Sequence, residues 1–268
     1  MEFIELLGYG GALVIGVVLG LIGGGGSILT VPILVYAFPI APYYATAYSL
    51  FIVGFSSLIG AFRNMQKGLV DFRTAIVFSV PAFIAVYATR MYLLPAIPEE
   101  MGSIGDFLIT RDLAIMVFFA IIMLLASYSM IKDKKKAIEK EAEDVVITYN
   151  YPFILLEGTV VGVITGIVGA GGGFLIIPAL VIFAKLPMKK AVATSLLIIS
   201  VKSLIGFLGD VQQIDIDWVF LSIFSLLAGI GIFVGIWLNN FIDGKKLKKA
   251  FGWFVLIMGI VIIATQLA

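Results

Sequence analysis

Two glycine clusters and one lysine are the parts of this sequence best suited to chemistry. Gly23-Gly24-Gly25-Gly26-Ser27 and Gly169-Ala170-Gly171-Gly172-Gly173 each lead straight into a short apolar run, 28–38 and 174–186. Successive glycine N–H groups can form a concave nest, and a helix starting immediately afterwards presents the positive end of its dipole to the same point. That chemistry is anion binding; the plainer reading is that the glycines only permit tight turns and close packing. A phosphate-binding loop does not fit, because no Lys follows the last glycine. A flexible linker does not fit either, because apolar residues flank each cluster closely. The small-xxx-small pairs Gly16/Gly20 and Gly162/Gly166, in the arms before the clusters, read as helix-packing surfaces.

Hydroxyls and charges form a second constellation. Ser49 and Ser56 stand seven residues apart, as do Ser195 and Lys202, so each pair shares one helix face two turns apart. Thr46 and Thr194 add hydroxyl donors nearby. Lys202 lies deep in the apolar run ATSLLIISVKSLIGF, and an ionisable group inside a span is functional by default. It could balance an anionic substrate, lose its proton during coupling, or pair with a carboxylate such as Asp210. Glu157 is a candidate proton relay or an interfacial carboxylate. Arg63, Asn64, Gln66, Asp210 and Gln212 cluster at equivalent helix ends, where they would gate a pathway or cap helices. The chain has no His and no Cys, which removes the usual transition-metal ligands, the imidazole base and the thiolate nucleophile. No metal site, catalytic residue or cofactor is implied, and the membrane-embedded acids are too few for an enzyme.

The elements that must position these residues are set by composition. Of 268 residues, 61% are hydrophobic and 13% charged. A soluble domain carries roughly twice that charge, so the chain is built to be solvated by lipid. A net charge of +1 offers no surface for a nucleic acid. Runs of roughly 20 apolar residues are expected to be helices able to cross a bilayer, here about 3–22, 43–62, 73–95, 112–131, 150–168, 188–208, 217–239 and 248–267. The N-terminal run has Glu2 and Glu5 but no early Lys or Arg, and reads as a first helix, not a cleavable signal. The two runs after the glycines are too short to cross alone. Trp218, Trp237 and Trp253 sit near span ends as interface anchors.

The sequence also repeats itself. Shifted by 146 positions without a gap, residues 16–72 match 162–218 at about 21 of 57 places. The matches include Gly23/Gly169, Gly25/Gly171, Gly26/Gly172, Pro32/Pro178, Ser49/Ser195, Ser57/Ser203 and Asp71/Asp217. The expected organisation is a first transmembrane repeat over 1–131, a connector over 132–149 and a second repeat over 150–268. Interrupted segments at matching places in two halves are the sequence pointer to a transporter's binding site. If each glycine-containing segment turns back on itself, fifteen of the eighteen Lys and Arg fall on one face. Only Arg90 and Arg111 fall on the other, with Lys202 inside. By the positive-inside bias that arrangement predicts inverted halves, each a glycine-tipped helical hairpin plus three spanning helices. The connector would be cytoplasmic and both termini extracytoplasmic. Eight simple spans are the alternative.

The paired stretches GLIGGGGSILTVPILV and GIVGAGGGFLIIPALV are each followed by a helix beginning A-x-A-x-S, Ala45–Ser49 and Ala191–Ser195. Together they resemble the sulfite exporter TauE/SafE family over almost the whole chain. The resemblance implies an all-α polytopic cell-membrane protein exporting sulfite or an organosulfonate such as sulfoacetate. It carries over onto the glycine pattern, Pro32, Pro178, and the Ser49 and Ser195 region. Lys202 has Ser56 opposite it and is not carried over. The expected substrate-binding set is Gly23, Gly24, Gly25, Gly26, Ser27, Gly169, Gly171, Gly172, Gly173, Thr46, Ser49, Ser56, Thr194, Ser195 and Lys202. Glu157, Arg63 and Asp210 are the coupling or gating candidates. The expected partners are a small anion and the lipid bilayer. An anion channel, or an importer of a sulfur-containing anion such as thiosulfate, is the alternative function.

Overall fold

The computed structural model describes residues 3–104, 107–131, 151–182, 184, 186–239, 241 and 244–267. The expected connector, 132–149, lies outside the described residues. The chain is a helical membrane protein. In the first half α1 (Phe3–Ile22) ends at the glycines, a 3₁₀ turn (Gly25–Leu29) leads into α2 (Thr30–Ala37), and α3 (Pro42–Gln66) and α4 (Phe72–Ala88) follow. A π turn (Thr89–Leu93), α5 (Leu94–Ala96), a ribbon of β1 (Glu100–Ile104) and β2 (Phe107–Thr110), and α6 (Arg111–Ile131) complete it. The second half contains α7 (Tyr151–Val168), α8 (Gly173–Ile182), α9 (Met188–Leu208), α10 (Trp218–Leu238) and α11 (Gly244–Leu267).

Local sequence fixes these boundaries in matching ways. Pro42 opens α3, where its missing N–H costs nothing, and Pro187 caps α9 at almost the same place in the second half. Asp71 and Asp217, equivalent in the repeat, cap α4 and α10 by accepting the Thr74 and Phe220 backbone N–H groups. The ribbon was not foreseen. It pairs Glu100 with Thr110 and Ile104 with Phe107, closing the loop between α5 and α6.

The protein is apolar outside and polar within. Phe62, Ile76, Leu125, Val219, Phe233 and Ile257 are among many large apolar side chains facing outward, while Thr46, Ser49, Ser56, Thr165, Ser195, Lys202 and Ser203 are fully buried. Lipid is the solvent for which that distribution is favourable. Five described helices, α3, α4 with α5, α6, α9 and α10, are long and apolar enough to cross a membrane. In α11 the lysines of the first turns leave an apolar stretch of Gly252–Gln266. Trp218 and Trp237 are outward-facing at the two ends of α10, about 28 Å apart along its axis.

Glycine contacts give the helix directions. Gly8 lies against Ala37 and Phe38, Gly11 against Ile33, and Gly26 against Ile15 and Leu19, so α2 runs back along α1 as a hairpin whose tip is the first glycine cluster. Gly54 meets Leu204, Gly60 meets Leu196 and Gly206 meets Leu50, so α3 and α9, equivalent helices of the two halves, pack antiparallel. Parallel packing joins α1 to α10 through Gly16, Gly20, Gly231 and Gly235, and α4 to α7 through Gly158, Gly162 and Gly166. These α1–α10 and α4–α7 pairings exchange when the halves are interchanged, as do α3–α10 and α4–α9.

Candidate functional site

The two glycine tips meet in the middle of the bundle. A Cβ on Gly24 would stand 2.6 Å from the Gly173 Cα, and Gly171 lies against Val53, Ile199 and the Ser27 Cβ. Val53 and Ile199 are themselves equivalent, so one apolar residue from each long central helix closes over the tips. Gly23 and Gly169, also equivalent, hold φ of +73° and +70°. That left-handed turn is where each chain reverses, and it favours glycine. Two surface grooves, one between the first hairpin and Met258 and one around Phe62 and Phe233, lie away from the tips. The tips pack directly on each other in this conformation.

Around the tips the hydroxyls divide into structural ones and free ones. Ser195 Oγ is within hydrogen-bonding distance of the Gly23 carbonyl and the Val192 carbonyl, each at 2.8 Å, and so ties α9 to the first tip. Ser27 donates to the Gly24 carbonyl, Thr46 to Tyr43 and Ser56 to Ile52. The Thr46 backbone itself supports the second tip at Gly169. Thr194 accepts the backbone N–H of Asp71 at 3.0 Å, and Tyr48, its repeat equivalent, accepts that of Asp217 at 2.8 Å. Each half thus supplies the hydroxyl that holds the other half's helix cap. The buried hydroxyls of Ser49, Ser57 and Ser203 make no hydrogen bond among the described residues.

Lys202 is fully buried beside the second tip. Its Nζ donates to Thr165 Oγ1 at 2.7 Å, and a Cβ on Gly172 would lie 3.4 Å from that nitrogen. No carboxylate pairs with it among the described residues. Asp210, which the sequence offered as a possible partner, sits about 12 Å further along the same chain direction and pairs with Arg90 at 3.4 Å, both side chains fully buried. That pair escaped sequence reading because Arg90 was assigned to a loop face. Its place inside the apolar run 73–95 was the available signal, the same one that picked out Lys202. Of the remaining candidates, Arg63 is exposed at the end of α3 with Gln66, Asn64 is bonded to the Gly60 carbonyl, and Glu157 is half-buried on α7. None of these three touches the tips.

A bundle that is apolar outside and brings two glycine tips, free hydroxyls and a buried lysine together at its centre fits a membrane transporter. The family comparison agrees: the model of the family described as Sulfite exporter TauE/SafE matches residues 9–262, and the chain belongs to that family. A probable membrane transporter protein of Xylella fastidiosa (strain 9a5c) is 27% identical over 269 residues, covering 98% of this chain and 95% of its own. The probable membrane transporter protein YunE of Bacillus subtilis (strain 168) is 28% identical over 287 residues, with the same coverage of 98% and 95%. A further probable membrane transporter, MJ0441 of Methanocaldococcus jannaschii, is 34% identical over 113 residues, covering 39% of this chain and 42% of its own. No solved structure matches the chain.

Proposed function

We propose that the protein is a secondary transporter that exports a small sulfur oxyanion, sulfite or an organosulfonate such as sulfoacetate, across the cell membrane by alternating access. The observation that carries this reading is Lys202, a fully buried side-chain nitrogen with one hydroxyl partner and no paired carboxylate among the described residues. A buried charge without a counterion is costly, and a transported anion beside Gly172 and Thr165 would remove that cost. The free hydroxyls of Ser49, Ser57 and Ser203 would supply donors to its oxygens. An anion leaving an inside-negative cell gains about 2.3 kcal/mol per charge per 100 mV, so export needs no further driving group. Glu157, half-buried on α7, and Lys202 are the candidates for any proton coupling.

The halves are inverted about an axis in the membrane plane on this reading, with the 132–149 connector cytoplasmic. The folded-back first hairpin and the antiparallel α3 and α9 support it. The absence of native Cys makes single-cysteine labelling clean. Ser103 in the ribbon and Lys189 at the start of α9, both exposed, should label from opposite sides; labelling from the same side would refute inversion.

The functional test is flux from proteoliposomes across a panel of sulfite, thiosulfate, sulfate, sulfoacetate and taurine. Saturable flux with trans-stimulation is expected for sulfite or a sulfonate, and Lys202→Gln should abolish it in protein that still inserts. Ohmic single-channel current would identify a channel instead. Unchanged flux in the Gln variant would remove Lys202 from the site.

A further inference from the structure

Arg90 is the largest fully buried side chain among the described residues, and it is poorly satisfied for a group of its charge. Its Nη1 meets Asp210 Oδ1 at 3.4 Å, a long contact for an ion pair between buried groups. The Nε and Nη2 atoms, which together form the side edge of the guanidinium, have no partner among the described residues, and neither has Asp210 Oδ2. A purely structural Arg–carboxylate pair buried this deeply closes both oxygens onto two nitrogens, because an unmet donor in a dry interior costs as much as the bond it forgoes. Here an entire two-donor edge is left open.

The surrounding backbone is irregular. Arg90 lies in the π turn Thr89–Leu93, and the Cβ of Arg90 packs on Gly209, immediately before Asp210. Gln213 reaches across to the Met91 carbonyl at 3.2 Å. A π turn widens one helical turn, and such turns recur at functional sites. The Arg111 guanidinium lies over the Tyr43 ring, 4.0 Å from its centroid. Thr89, the residue before Arg90, packs on Gly166 of α7, one residue beyond the Thr165 that holds Lys202.

The repeat sharpens the point. Positions equivalent to Arg90 and Asp210 are Ile236 and Asn64 under the 146-residue shift, and Asn64 merely bonds its own helix at Gly60. The equivalents of Lys202 and Thr165 are Ser56 and Leu19. Neither buried basic residue therefore has a basic counterpart at the equivalent position of the other half.

We propose that Arg90 is a second binding residue for the transported oxyanion, taking two of its oxygens on the open Nε–Nη2 edge as the anion passes between Lys202 and the ribbon end. A planar two-donor edge suits two oxygens of a sulfite or sulfonate group. Asp210 holds the guanidinium in place and competes with the anion by like-charge repulsion, so it sets release. This assignment rests on the oxyanion-transport reading above.

Equilibrium binding of sulfite and sulfoacetate to the purified full-length chain tests it, with thermal unfolding measured alongside. Removing Asp210 alone, as Asp210→Asn, should tighten binding by about fivefold, because the competing carboxylate is gone. The double variant Arg90→Gln/Asp210→Asn removes both charges of this pair and strands neither, so it should fold, yet bind about tenfold more weakly than the wild type. Arg90→Lys/Asp210→Asn keeps the charge without the planar edge and should fall between the two. A double Gln/Asn variant that binds with wild-type affinity overturns the role of Arg90, as does one whose only change is a lower unfolding temperature. Wild-type protein that binds neither probe overturns the oxyanion reading itself, and this assignment with it.

Discussion

The two halves of the chain share a backbone plan but differ in what they place at its centre. Around the first tip, Leu19 and Ser56 leave an apolar wall, and Ser56 turns its hydroxyl back onto its own helix at Ile52. Around the second tip the same positions are Thr165 and Lys202, joined by a 2.7 Å hydrogen bond. The first tip re-enters through a 3₁₀ turn before α2, whereas α8 begins directly at Gly173. Symmetric features carry the fold: the reversing glycines, the Asp caps and their cross-half hydroxyls. Asymmetric features carry charge. The buried charges break the repeat in both halves, Arg90 in the first and Lys202 and Asp210 in the second, each facing an uncharged residue at the equivalent position.

Breaking the shared plan should have the largest effect. Gly24→Val would drive a branched side chain into the Gly173 backbone at a residue with φ of +126°, and no folded protein is expected in the membrane fraction. Gly10→Ala, at a glycine with nothing within 4 Å, should give normal yield by size-exclusion chromatography. Making the neutral tip resemble the charged one comes next. Ser56→Lys alone would bury an ammonium against Leu19, a loss of roughly 3–5 kcal/mol, and adding Leu19→Thr should recover much of it. Thermal unfolding in detergent reads both variants, and equal stability with or without Leu19→Thr would count against the pairing.

Smaller effects test the cross-half caps. Tyr48→Phe and Thr194→Val each strand the backbone N–H of the opposite Asp and should each cost about 1–3 kcal/mol. Similar losses are expected although the side chains differ, because the equivalent bond is broken. Asp71→Ala and Asp217→Ala, which remove the cap side chain only, should each cost about 1 kcal/mol and leave anion flux near normal. A cap variant that abolished flux would move these residues out of the scaffold.

Much of this was legible without coordinates. Apolar runs located the helices to within a few residues, since hydropathy and length are local properties of the chain. The ribbon over 100–110 was missed because its strands are short and mostly polar at one end, with no alternation to announce them. Ser195 and Thr194 stand out in the sequence as hydroxyl donors to a substrate site, but spacing alone could not say that one binds Gly23 and the other the Asp71 backbone. Lys202 stood out because an isolated charge in an apolar run is conspicuous. Arg90 did not, being near enough to a span end to pass for a loop residue.

The sequence by itself determined that the chain lives in lipid, that it is duplicated, and that its two glycine clusters interrupt the helices at matching places. Composition, a constant shift and glycine identity are all readable one residue at a time. Only the tertiary structure decided that the two clusters touch, that Lys202 takes Thr165 as partner, and that Asp210 belongs to Arg90. Those are pairings between residues 37 and 120 positions apart. Which buried charge is met and which is left open depends on how antiparallel and parallel helices bring distant turns to one level, and no local pattern encodes that.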